Sequence, residues 1–355
     1  MEKLTGALIE GLHAQHYLLL LIGVMVASGI IKDHGLFNDI FRLIIARVKN
    51  KKIVLALISL ISGILPISGR VVVSAGVLSL ITSDKAIKSG GREKFGIIDY
   101  LSTHHYYLWS PLEKTVIVPM AALSLSWPQF MAYSLPLLAI SIVYIFWYIG
   151  VRVEENEISI VDSSEPINWL RLLRGFAPFM VAIFAIIIYD SWSSYIMLDL
   201  AIYYIIATES YDFKKINSYI KWNLVGFLAL IIFFGKITAC YGKEIEVFIR
   251  HSTWLDIHTL TGAIAISLLA FGASWFMGSS GKFAGLLAIL VSIYGPQYLV
   301  WFFCMEFAGY NFSPAHKCVP IGKLYFNTPL TEYASALSVW MGLLISYAGI
   351  RTFVF

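Results

Sequence analysis

Leu65-Pro66-Ile67-Ser68-Gly69-Arg70 cuts an otherwise apolar run, Ile53–Thr82, close to its middle. Proline removes a backbone donor and collides with the turn before it, and glycine costs about 1 kcal/mol inside a helix, so one continuous helix is disfavoured. Basic clusters flank the run: Arg47, Lys49, Lys51 and Lys52 before it, Lys85, Lys88, Arg92 and Lys94 after it. Loops rich in lysine and arginine stay on the cytoplasmic side of a membrane. Both ends of the run therefore face one side, which predicts a re-entrant hairpin over residues 53–83 with the interrupted hexapeptide at its tip.

A membrane is also what the whole composition asks for. Of 355 residues, 58% are apolar and 14% carry a formal charge, against roughly 45–50% and about 25% in soluble domains. Further runs, Tyr17–Ile31, Phe130–Ile149, Phe176–Tyr189, Leu224–Ile237 and Leu286–Met305, approach the ~20 residues that cross a bilayer as helix. They are continuous rather than alternating with period two, which excludes an outer-membrane barrel. We expect an all-α polytopic protein, integral to the cytoplasmic (inner) membrane, with about nine to eleven membrane-embedded segments. The net charge of +4 sits in loops, where it reports orientation and implies no nucleic-acid partner. Cys240, Cys304 and Cys318 are widely spaced, with neither a disulfide framework nor a metal spacing among them. Met1-Glu2-Lys3 lacks the positive start of a signal peptide, so the first apolar stretch is read as a mature span.

Outward from the first hairpin, the order of features repeats. Residues 97–125 form a second interrupted stretch, broken at Trp109-Ser110-Pro111, and a closing helix over Phe130–Gly150 completes a first repeat, 1–150. A polar segment, 151–168, carries Glu154, Glu155, Glu157, Asp162 and Glu165 and reads as a cytoplasmic linker. In a second repeat, 169–355, Ile257–Met277 and Phe283–Ile293 flank Gly278-Ser279-Ser280-Gly281-Lys282, which predicts a hairpin over 257–293. Another break follows near 309–318, at Ser313-Pro314, and Ala334–Phe353 closes the chain. Counting crossings puts the second hairpin on the outer side, so the halves are expected to be inverted repeats.

Interrupted membrane helices expose backbone groups that hydrocarbon cannot satisfy, and these become solute and ion sites. Helix N-termini favour anions, while freed carbonyls and hydroxyls can hold Na⁺. The residues expected to bind solute are Ser68, Gly69 and Arg70 at the first tip, Ser279 and Ser280 at the second, and Ser110 and Ser313 at the breaks. Arginine's planar fork suits a carboxylate or phosphate. Candidates for the coupling ion are His104, Glu113 and His316, because histidine titrates near neutral pH and a carboxylate can take Na⁺ or a proton. Asp190, Asp199, Lys236, Arg250, His251 and His258 read as interfacial.

These residues carry a resemblance. Leu65–Arg70 with Ser74-Ala75, Asp99-Tyr100 through His104 to Pro111-Leu112, Gly309, Ser313-Pro314-Ala315-His316-Lys317-Cys318 and Tyr325-Phe326 resemble the uncharacterised prokaryotic integral-membrane family DUF401. The likeness in feature order covers nearly the whole chain. That family resembles the ion-transporter superfamily of carriers for dicarboxylates, citrate, gluconate and arsenite. The resemblance implies a scaffold and a transport domain with opposed hairpins, often as a homodimer, and implies no particular substrate. Ser68-Gly69-Arg70 stands where the family tip reads proline-glycine-glycine, and Thr103 and Tyr107 stand where it has an arginine and a glutamate.

The function expected is secondary active transport of a small, anionic solute coupled to Na⁺ or H⁺, with no cofactor beyond a bound Na⁺. A channel or structural membrane subunit is the alternative, followed by a membrane-embedded metalloenzyme. His13 with His16 and His251 with His258 lack the spacing and partners of a metalloenzyme site. No enzyme activity and no metal ligands are therefore expected.

Overall fold

A computed structural model describes residues 15–64, 70–83, 91–159, 167–189, 192–223, 254–278, 280–313, 316 and 318–354, with scattered positions between 225 and 252. Among them are 15 α-helices and no strand. The first half builds α1 (Gln15–Asp33), α2 (Asn38–Arg47), α3 (Lys51–Ile64), α4 (Arg70–Ile81), α5 (Glu93–His104), α6 (Lys114–Leu123) and α7 (Trp127–Arg152). The second builds α8 (Trp169–Ile188), α9 (Ser193–Ala207), α10 (Phe213–Tyr219), α11 (Leu260–Met277), α12 (Ser280–Tyr294), α13 (Leu299–Phe312), α14 (Cys318–Phe326) and α15 (Leu330–Phe353).

Five of these, α1, α7, α8, α11 and α15, are long and apolar enough to cross a membrane. With 26 residues, α7 reaches about 39 Å. The 14 residues of α3 and 12 of α4 reach only about 21 and 18 Å, short of the ~30 Å hydrocarbon core. Four of the long helices leave an apolar face bare: Val143 and Phe146 on α7, Val181 and Phe184 on α8, Leu268 on α11, Leu343 on α15. Apolar area on this scale is what lipid covers in a membrane protein.

Local chemistry sets the helix ends. Ser126 and Gln129 form a capping box at the start of α7, with Pro128 in its first turn. Asn168 and Thr259 cap α8 and α11 by accepting from Arg171 N and Gly262 N. Gly278 ends α11 in the left-handed region at φ 52°, where a residue without Cβ pays no steric cost. Close helix approach also depends on glycine at one point. A Cβ on Gly309 of α13 would lie 2.1 Å from the Phe271 carbonyl oxygen of α11.

Contacts sort the helix ends into two sets. At the C-terminal end of α7 the chain doubles back, and Ser83 N donates to Glu157 O at 2.9 Å while Ser159 N donates to Ile81 O at 2.8 Å. Lys51 Nζ donates to Ile158 O at 3.0 Å, and Lys94 pairs with Glu157 at 2.9 Å. The start of α3, the end of α4 and the start of α5 therefore meet here. At the N-terminal end of α7, Arg351 of α15 donates to Tyr133 O at 3.1 Å, and Tyr298 and Trp301 pack on Phe353. Tyr294, which ends α12, donates to Leu255 O just before α11 at 3.1 Å. The two ends of α11–α12 thus gather at the opposite end of α7 from the two ends of α3–α4.

Within the polar segment 151–168 read as a linker, residues 157–159 bond to the end of the first helix pair, while Glu154, Glu155 and Asn156 are exposed. Glu157 is buried, accepts from Lys94 Nζ and from Glu154 N, and straps the segment to α4 and α5. Elsewhere α2 is tied to α8 by Asp39, which accepts from Arg171 Nε and, at 3.1 Å, from its Nη2. That guanidinium holds the Asp39 carboxyl below the ordinary carboxylate range.

Candidate functional site

Two helices stop inside the protein. After α5 the chain tightens into a 3₁₀ turn, His105–Leu108, and does not resume a helix until Lys114. Pro111 lacks an N–H and disfavours a helical Ser110 before it. In the same way α13 ends at Phe312, and Ser313 is extended, with φ −66° and ψ 130°, ahead of Pro314. Helix returns at Cys318.

The two interruptions meet through their imidazoles. His104 Nε2 and His316 Nε2 are 3.0 Å apart, and both rings are buried. His104 Nδ1 donates to the Tyr100 carbonyl at 2.6 Å. His316 Nδ1 lies 3.0 Å from both the Tyr310 carbonyl and the Tyr100 hydroxyl. Asn311 Nδ2 donates to Phe307 O at 2.6 Å, which turns Asn311 Oδ1 towards Tyr100, whose hydroxyl donates to it at 2.8 Å. With its proton committed there, the Tyr100 oxygen accepts from His316 Nδ1. Ring stacking fixes the pair: Tyr100 on His104 with centroids 4.0 Å apart, Tyr310 beside His316 at 4.1 Å. The Cys318 thiol completes the cluster, since one ligand-type atom each from His104, His316 and Cys318 all lie within 4.8 Å of one another.

No protein-family model and no curated protein matches this chain.

Of the described residues read as functional, His104 and His316 are the pair in direct contact through their side chains. Ser110 is buried, and its hydroxyl accepts from Leu112 N at 3.2 Å, closing its own turn. Ser313 donates to the Trp275 carbonyl near the end of α11. Glu113 is buried at the N-terminal cap position of α6. His105, next to His104, points away: its Nδ1 accepts from Trp109 and its Nε2 donates to Leu60 O, both near 3 Å at 3.0 and 3.3 Å. Ser68, Gly69 and Ser279 lie outside the described residues, as do the side chains of Arg70 and Ser280, which begin α4 and α12.

Two acids of the interior escaped the sequence reading. Asp99 on α5 is 1% exposed and Glu306 on α13 is 0% exposed. Asp99 Oδ1 and both Glu306 carboxyl oxygens have no hydrogen-bond partner among the described residues. The Ser74 hydroxyl of α4 and Tyr333 of α15 stand near Asp99, and the Leu287 backbone of α12 stands near Glu306. Each acid thus faces the second arm of the helix pair in its own half. The signal available was an ionisable residue inside an apolar helix, which at membrane depth is a functional candidate.

Proposed function

We propose that the chain is a secondary active transporter of the cytoplasmic membrane, moving a small anionic solute by alternating access with a coupling H⁺ or Na⁺. The observation that carries this reading is the buried contact of two helix interruptions, one from each half, at His104 and His316. Membrane helices tolerate such interruptions only where protein or a water-filled cavity takes up the freed groups. Carriers build solute sites from them.

Packing supports two inverted repeats, 1–150 and 169–355. α3 packs on α4 and α5 as α11 packs on α12 and α13, and α5 meets α7 as α13 meets α15. Across the halves, α4 packs on α14 and α12 on α6. Hairpins entering from opposite sides would gather their ends at opposite ends of α7, as the helix pairs α3–α4 and α11–α12 do. The end marked by Lys51, Lys52 and Lys94 is the cytoplasmic one by its charge.

Helices α4, α6, α12 and α14 each begin just after an interruption. Their N–H groups and positive dipole ends favour an anion, with Arg70 as its charged clamp. Ser68, Gly69, Ser279 and Ser280 supply hydroxyl and backbone groups at the tips in this reading. Coupling falls to Asp99 and Glu306. An ionised carboxylate at membrane depth costs at least about 2.5–3.5 kcal/mol, so each requires a proton or a bound cation to stay there.

Thermal unfolding of the detergent-purified chain tests this, across small carboxylates, phosphate, arsenite and neutral solutes, with and without Na⁺ and at two pH values. A ligand at 100 times its dissociation constant adds about 2.7 kcal/mol to the folded state. An anion that stabilises only with Na⁺ or at low pH is the expected outcome. Stabilisation by neutral solutes alone would contradict the anion assignment.

A further inference from the structure

The hydrogen bonds around the two interruptions assign the tautomers of His104 and His316. A carbonyl oxygen can only accept, so the ring nitrogen that faces one carries the hydrogen. His104 Nδ1 faces Tyr100 O and His316 Nδ1 faces Tyr310 O. A neutral imidazole protonated at Nδ1 has its lone pair on Nε2. Two lone pairs then point at each other across 3.0 Å, an arrangement that repels unless a cation joins them.

A divalent metal ion meets that requirement. Zn²⁺ takes imidazole nitrogen at about 2.0–2.1 Å and thiolate sulfur at about 2.3 Å, so two nitrogens of a tetrahedral site lie roughly 3.3 Å apart and nitrogen and sulfur roughly 3.6 Å apart. The two Nε2 atoms are 3.0 Å apart, and one ring nitrogen from each histidine lies within 4.8 Å of the Cys318 sulfur, so shifts of about an ångström bring the donors to these edges. Metal-bound histidine commonly donates its other ring N–H to a carbonyl, which orients the ring. Both rings do so here. Cys318 is the first residue of α14, and negative charge is favoured at a helix N-terminus. Nitrogen and sulfur donors select borderline-soft first-row cations over Mg²⁺ or Ca²⁺, which want oxygen.

We propose that His104, His316 and Cys318 form a binding site for a Zn²⁺-like divalent cation that bridges the two halves of the protein, with water or a further donor as its fourth ligand. Binding takes up one M²⁺ and releases the thiol proton of Cys318; neither metal nor sulfur changes oxidation state. The site stands on the contact of the two interruptions and does not depend on transport.

Co²⁺ titration of the purified full-length chain reads the site directly. The expected result is one equivalent bound, with the visible bands of tetrahedral Co²⁺, a sulfur-to-cobalt charge-transfer band, displacement by Zn²⁺ and proton release in weak buffer. His316→Ala and His104→Ala should each weaken binding at least ~10–100-fold. Cys318→Ser should remove the charge-transfer band, whereas Cys304→Ser, which alters a buried thiol outside the cluster, should keep it. Thermal unfolding of each metal-free variant checks folding. Should a histidine variant fail to fold, Cys318→Ser at its half-buried position carries the test. No tetrahedral Co²⁺ signal in the parent chain, or the same signal in Cys318→Ser, overturns the proposal and leaves a shared proton between the rings. Because no solute enters the experiment, its failure is distinct from failure of the carrier reading.

Discussion

At the interruption between α5 and α6, Ser110, Thr115 and Trp127 bond within their own half, whereas at the one between α13 and α14, His316 also bonds across the molecule. In the first, Ser110 closes its own turn, Thr115 donates to Tyr107 O at 3.0 Å, and Trp127 donates to Trp109 O at 2.9 Å. In the second, His316 touches Tyr100 and His104, 216 and 212 positions away in the chain. A locally capped break keeps its shape when its neighbours move. A break completed by the other half changes when the halves separate, so relative motion of the halves would be felt first at His316.

His316→Ala should cost the most, about 2–4 kcal/mol in thermal or denaturant unfolding, since it removes a packed ring and takes from the Tyr100 hydroxyl oxygen the donor at His316 Nδ1. A loss below ~1 kcal/mol would break the contrast. Tyr100→Phe sharpens it: the Asn311 carbonyl oxygen loses its donor, for about 1–3 kcal/mol, while the packing of the ring on His104 survives. Ser110→Ala should cost less, about 0.5–1.5 kcal/mol, because only a local turn loses its cap.

Smallest of all, and remote from both breaks, is the Asp39–Arg171 pair. Hydrogen bonding to Arg171 lowers the Asp39 carboxyl below its ordinary value of 3.8. A carboxylate lowered on folding adds stability above its unfolded value, and that stability is lost as pH falls through the folded one. Asp39→Asn should therefore flatten the stability profile below about pH 4 and leave the contrast between the breaks intact. Unfolding midpoints measured across that range check it.

The long helices were legible because runs such as Phe130–Ile149 are uniformly apolar, and the breaks because a residue before proline leaves the helical region. Ser110-Pro111 and Ser313-Pro314 each mark such an exit. Their use was not legible. A serine hydroxyl can bind solute or cap its own chain, and the choice at Ser110 and Ser313 depends on neighbours such as Leu112 N and Trp275 O. His105 and His104 are adjacent in sequence, yet a 3₁₀ turn sends one to Leu60 and the other to His316. Asp99 and Glu306 look like ordinary acids until burial removes their water. The spacing of the proposed metal site was not legible because His104 and Cys318 belong to opposite halves of the chain.

Labelling from either face of the membrane tests the opposed arrangement most directly. Single cysteines replace Lys51 and Ser83 at the ends of α3–α4, and His258 and Gln297 at the ends of α11–α12, in a background without accessible native thiols. A membrane-impermeant thiol reagent is then applied to right-side-out and inverted vesicles. Inverted repeats predict that Lys51→Cys and Ser83→Cys react from the cytoplasmic face and His258→Cys and Gln297→Cys from the external face. Reaction of Lys51→Cys and Ser83→Cys from opposite faces would make the first pair a full crossing and contradict the account.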